Sequence, residues 1–234
     1  LWLNKVPDNT DEQTRFNAQL RRAHLTGKGG DLAAARALLA EVKPTEPERQ
    51  AQLMAADAQL LRQANQLPQA YAVMEAAAQR FPKNPDLLYD FALLAEKLGK
   101  VDVMEAQLRE VMAQAPDNHH AYNALGYSLA ERNVRLQEAY GLIAKALEMA
   151  PDDPFIMDSM GWIHYRMGNL NEAEKFLRRA YGVRKDAEIG IHLGEVLWQK
   201  GDKSAAQALW RDARAKDPQN EALRETLTRL GLSL

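Results

Sequence analysis

The chain has 234 residues, 46% hydrophobic and 26% charged, enough apolar material for one large domain or two small ones. Lys and Arg total 30 against 32 for Asp and Glu, a formal net charge of −2, without the basic excess that draws a nucleic-acid backbone or an anionic membrane surface. The absence of cysteine excludes disulfides and thiolate sites, and no apolar run approaches the roughly 18–20 residues that cross a bilayer.

Residues 1–9 contain Trp2, Leu3 and Val6 followed by Pro7, and they read as the end of a helix or repeat begun earlier. A chain that starts this way fits a fragment or processed form that has lost an N-terminal targeting segment. Residues 10–218 then form an array of helical pairs. The first pair is predicted at 11–27 and 31–42, with Gly27-Lys28-Gly29-Gly30 lengthening its turn, and the second at 47–65 and 68–81. The third is predicted at 85–98 and 101–115, and the fourth at 119–132 and 135–150, with an extended turn around Arg132-Asn133-Val134-Arg135. The fifth spans 154–167 and 170–181, and the sixth 187–200 and 203–216. Residues 219–234 carry a final helix near 219–231, apolar along Leu223, Leu227 and Leu230 and wet along Arg224, Glu225 and Arg229, as a terminal cap requires.

Three ladders hold these pairs to one period. Pro82, Pro116 and Pro151 recur at steps of 34 and 35, with Pro47 one step before and Pro218 about two steps after. Ala58, Ala92, Gly126, Gly161 and Gly194 recur at 33 to 35, as do Ala35, Ala70, Met104, Ala139, Ala173 and Ala206. Small residues in register predict close crossing of paired helices, which offsets the roughly 1 kcal/mol that glycine costs inside a helix. Gly99, Gly168 and Gly201 read as helix stops between paired helices.

The first helices of the later pairs carry a second apolar stripe, rotated about 100° from the stripe facing the paired helix. It includes Tyr89 and Leu93, then Asn123 and Tyr127, then Phe155, Asp158, Trp162 and Tyr165 with Arg166 nearby, then Ile191, Glu195 and Trp198. These stripes are expected to run together as a groove lined by first helices, with aromatic anchors for an extended or helical polypeptide and Asn123 able to pair with a peptide bond. Trp210 and Phe176, on second helices, are expected in the core. The corresponding positions of the second pair, Gln52, Ala55, Gln59 and Arg62, are more polar and lack the feature.

The period, the paired helices and the small-residue ladders resemble the tetratricopeptide repeat (TPR) over essentially the whole chain. The fold this implies is all-α: a right-handed α-α superhelix, or TPR solenoid, of about six helix-turn-helix repeats plus a C-terminal capping helix. A narrower resemblance rests on Asn123-Ala-Leu-Gly-Tyr-Ser-Leu-Ala-Glu131, Pro151-Asp-Asp-Pro154, Asp158-Ser-Met-Gly-Trp162, Leu177-Arg-Arg-Ala-Tyr181 and His192-Leu-Gly-Glu-Val-Leu-Trp198. These motifs are similar to Gram-negative outer-membrane TPR lipoproteins, one of which acts as adaptor for a carboxyl-terminal processing protease. The resemblance implies a periplasmic chain anchored to the outer membrane in its full-length form, through a lipid-bearing cysteine that this sequence lacks, and a protease or envelope-assembly protein as partner.

Some TPR domains grip a C-terminal carboxylate with Lys, Asn and Arg. Here the matching positions hold Ala55, Tyr89, Asn123, Asp158 and Ile191, so that clamp is not present. His119 and His120 are adjacent and diverge on a helix, so no metal site is expected, and Ser128 and Ser159 lack a nucleophile-elbow context. The expectation is therefore a protein-binding scaffold with no catalytic residues, no cofactor and no nucleic-acid partner. A competing expectation is the recognition arm of a larger enzyme, such as a glycosyltransferase with its catalytic domain upstream, and self-association through exposed repeat ends is a third.

Overall fold

The computed structural model describes residues 11–233, so the reading of residues 1–9 lies outside the described residues. Among the described residues there are thirteen α-helices and no strand. They are α1 (Glu12–Lys28), α2 (Leu32–Ala40), α3 (Pro47–Gln63), α4 (Leu67–Arg80), α5 (Pro85–Lys97), α6 (Val101–Gln114), α7 (His119–Glu131), α8 (Leu136–Met149), α9 (Pro154–Arg166), α10 (Leu170–Val183), α11 (Ala187–Gln199), α12 (Lys203–Lys216) and α13 (Glu221–Leu230).

Local chemistry explains where these helices begin and end. Asp11, Asp31, Asn84, Asn118, Asp153, Asp186, Asp202 and Asn220 each cap a helix by accepting from a backbone N–H of its first turn. Pro47, Pro85 and Pro154 open helices, where no intrahelical N–H is needed. Pro82, Pro116, Pro151 and Pro218 instead lie between repeats, so Pro47 belongs to a different structural position from the ladder in which the period placed it. Gly99, Gly168 and Gly201 take φ of 68°, 82° and 92°, the left-handed conformation that stops the first helix of a pair. The fourth pair uses Asn133 and Arg135 at φ of 56° and 49° for the same purpose.

The first pair corrects one expectation. Its turn is not lengthened, because Gly27 and Lys28 belong to α1, and it is α2 that is short at 9 residues. Gly27 lies where a Cβ would meet Leu60 Cδ2 at 2.6 Å. It is a packing glycine, not a turn glycine.

The chain forms two compact units, Leu1–Ala115 and Pro116–Leu234. In the first, α1, α3 and α5 pack side by side as one layer, with α2, α4 and α6 as their partners. In the second, α7, α9, α11 and α13 form such a layer, with α8, α10 and α12 behind it. The small-residue ladders mark the crossing points. A Cβ on Gly126 would fall 2.6 Å from Ile143 and 3.0 Å from the Ala139 carbonyl, and one on Gly161 would fall 2.5 Å from Leu177 and 3.1 Å from the Ala173 carbonyl. On Gly194 it would fall 2.4 Å from the Trp210 indole nitrogen. Trp210 is fully buried, whereas Phe176 is half-buried and stacks on His164.

Candidate functional site

The face of the second unit built from α7, α9, α11 and α13 gathers Asn123, Tyr127, Phe155, Asp158, Trp162, Tyr165, Arg166, Ile191 and Trp198. Tyr89 and Leu93 lie on α5 in the first unit, both half-buried. Burial pushes the Tyr89 hydroxyl above its usual pKa, with Asp90 and Glu96 adding to the effect.

The sequence pattern anticipates an open row of side chains, and the structure closes its centre. Trp162 is 1% exposed, Ile191 is equally buried, and Asp158 is inside as well. The reason is a polar frame that seals them beneath their neighbours. The Asp158 carboxylate accepts from His192 Nδ1 at 2.9 Å. The Trp162 indole N–H donates to Glu131 at 2.7 Å, while its ring stacks on His192 at 4.2 Å and on Tyr165 at 4.9 Å. The Tyr127 hydroxyl donates to Glu188 at 3.1 Å and lies 3.5 Å from His192 Nε2. The Tyr165 hydroxyl donates to Glu195 at 2.8 Å, and both Glu195 oxygens are held by Arg229, at 2.6 Å and 2.7 Å.

Electrostatics fix the protonation of this frame. Burial disfavours the charged form of His192, but the Asp158 carboxylate, aided by Glu188 and Glu131, outweighs it and raises the imidazole pKa to about 9. The ring is therefore a cation at neutral pH. It donates to Asp158, and Tyr127 in turn donates to Glu188. Burial first, and then Glu188, raise the Tyr127 hydroxyl well above its ordinary value. Hydroxyl, imidazole and carboxylate thus stand in sequence, and the Asp158–His192 pair braces α9 against α11.

Around this closed centre some groups remain available. Phe155 is 42% exposed, with the Arg184 guanidinium 5.0 Å from its ring centroid. Tyr127, Tyr165 and Trp198 are half-buried, and Lys203 lies 5.0 Å from the Trp198 ring. Arg166 lies 5.7 Å from the Trp162 ring centroid. The side-chain carbonyl of Asn123 is buried with no hydrogen-bond partner within the chain. Among the described residues, no group of three or more His, Asp or Glu is arranged to hold a metal ion.

Sequence reasoning names none of His192, Glu131 and Arg229 for the site. A signal for them exists in the period. Glu131 with Trp162, Asp158 with His192, and Glu195 with Arg229 are polar pairs 31 to 34 residues apart, so each joins one repeat to the next.

Residues 89–154 match the tetratricopeptide-repeat family, and residues 156–186 match it again. A TPR repeat-containing protein of Pseudomonas aeruginosa is 42% identical over 178 residues, covering 76% of this chain, and the chain spans only 30% of that protein's length. A thermophilic TPR protein of Thermus thermophilus superposes with a TM-score of 0.66 at 22% identity, over 78% of this chain and 100% of its own. YrrB, described as a TPR protein with an unusual peptide-binding site, superposes with a TM-score of 0.58 at 19% identity, over 79% of this chain and 91% of its own.

Proposed function

We propose that this tetratricopeptide-repeat chain is a binding scaffold that holds a polypeptide segment on the α7, α9, α11 and α13 face of its second unit. The observation that carries this reading is the exposed Phe155 ring on a face that also presents the braced, half-buried ring of Tyr127, with the buried, unpartnered Asn123 carbonyl on the same helix as Tyr127. The aromatic rings supply contact area whose ordering cost the frame has already met, and Asn123 accepts a main-chain N–H once its amide turns outward. The likeness to YrrB, whose own peptide-binding site is described as unusual, supports a peptide as ligand.

The test replaces only groups that the frame does not use. Asn123→Ala with Phe155→Ala leaves the buried bonds in place, so the helical content by circular dichroism is unchanged. Affinity capture from an envelope extract is expected to lose a partner that the wild-type chain retains. Equal recovery of every partner removes the reading.

The finer proposal follows the resemblance of the Asn123–Trp198 motifs to outer-membrane TPR lipoproteins. It is a periplasmic adaptor that tethers a protease or envelope-assembly protein and raises its local concentration. Fractionation of the full-length protein with the outer membrane is expected, and recovery in the cytosol counts against it. A second reading makes this chain the recognition arm of a longer enzyme, the chain spanning 30% of its Pseudomonas aeruginosa relative. The complete reading frame separates the two.

A further inference from the structure

The seat of α13 in the second unit is itself built to receive a helix. Glu195 on α11 is 0% exposed, and the guanidinium that binds both of its oxygens comes from α13. A carboxylate withdrawn from water is tolerated only with such pairing, and the two-pronged fit favours arginine over lysine. Beside this pair, Leu223, Leu227 and Leu230 of α13 join the cluster that contains Leu197, Trp198 and Trp210. Yet α13 spans only 10 residues, Glu221–Leu230, and buries only Leu223 and Thr226. An open cleft of about 310 Å³ runs along α13 itself, bordered by Arg214, Leu223, Leu227 and Leu232.

We propose that this seat is a docking surface for an amphipathic helix with leucines at i, i+4 and i+7 and an arginine at i+6, and that α13 is its built-in occupant. A partner helix with that pattern displaces α13 and places its own arginine on Glu195. Short-tethered α13 competes at an effective concentration on the order of millimolar, so the seat stays covered until a matching helix is abundant or tethered nearby. The surface shares Tyr165 and Trp198 with the peptide-binding face proposed above but does not depend on that reading.

The test uses the full chain and a fluorescent peptide of residues 217–233. The peptide is expected to bind the wild-type chain only near about millimolar concentration, against its own α13, and an Arg229→Glu peptide to bind at least about thirtyfold more weakly, the loss expected when the buried Glu195 carboxylate faces a like charge. Glu195→Arg in the chain reverses that preference. Arg229→Gln in the chain loosens its own α13 while keeping Glu195, and is expected to tighten wild-type peptide binding about tenfold as the internal competitor weakens. No binding by the Arg229→Gln chain, or binding indifferent to the peptide's charge, overturns the proposal. That comparison decides the matter even if Glu195→Arg does not fold. Since no extract partner is used, failure here leaves the Asn123 and Phe155 experiment untouched.

Discussion

Tyr127 and Trp162 occupy matching places on successive first helices, each one residue past a ladder glycine, yet Tyr127 is half-buried and Trp162 is sealed. The difference lies in what covers them. Trp162 has His192 and Tyr165 stacked on its ring and Glu131 on its nitrogen. Helical periodicity assigns each residue to a stripe but cannot say whether the next repeat covers that stripe, so the aromatic row was legible and its closure was not. The crossing glycines were legible because their steric demand is local and repeats. Gly194→Ala is expected to cost roughly 2 kcal/mol, since the Trp210 indole cannot easily yield. Gly182→Ala, with nothing near the added Cβ, is expected to gain about 0.5–1 kcal/mol, both read by urea unfolding. For His192 the sign follows from its raised pKa of about 9. Its contribution is complete below the unfolded value of roughly 6.5 and is lost as pH rises through about 9. The difference in thermal midpoint between wild type and His192→Gln is therefore expected to shrink between pH 7 and pH 10, and a constant difference would contradict the charged pair.

At the scale of helices, the sequence signals were strongest where one side chain acts alone. The apolar period and the turn glycines need no distant partner, and the predicted helices match the observed ones closely for that reason. Asp153 shows the magnitude. It accepts from the N–H groups of Phe155 and Ile156, so Asp153→Ala is expected to cost about 1 kcal/mol and to fray the start of α9 in amide exchange. The first pair departs from its pattern because Gly27, a turn residue by its letter, packs against Leu60. A glycine that serves packing and a glycine that serves φ carry the same letter.

For the molecule as a whole, the period foretold the array, since stacked units need only nearest-neighbour contacts to be stable. Such an array does not resist opening uniformly. Within the second unit, α9 and α11 carry long buried runs and share the polar frame, whereas α13 buries only Leu223 and Thr226. Amide exchange is expected to be slowest in α9 and α11 and fastest in α13. Uniform protection across the second unit would argue against α13 as a movable occupant.

The sealing of Trp162 has a practical consequence for mutagenesis. A scan that starts with the biggest ring would remove a keystone, and the resulting collapse would masquerade as lost recognition. Small, peripheral changes report on the ligand, whereas the most conspicuous residue reports on the scaffold.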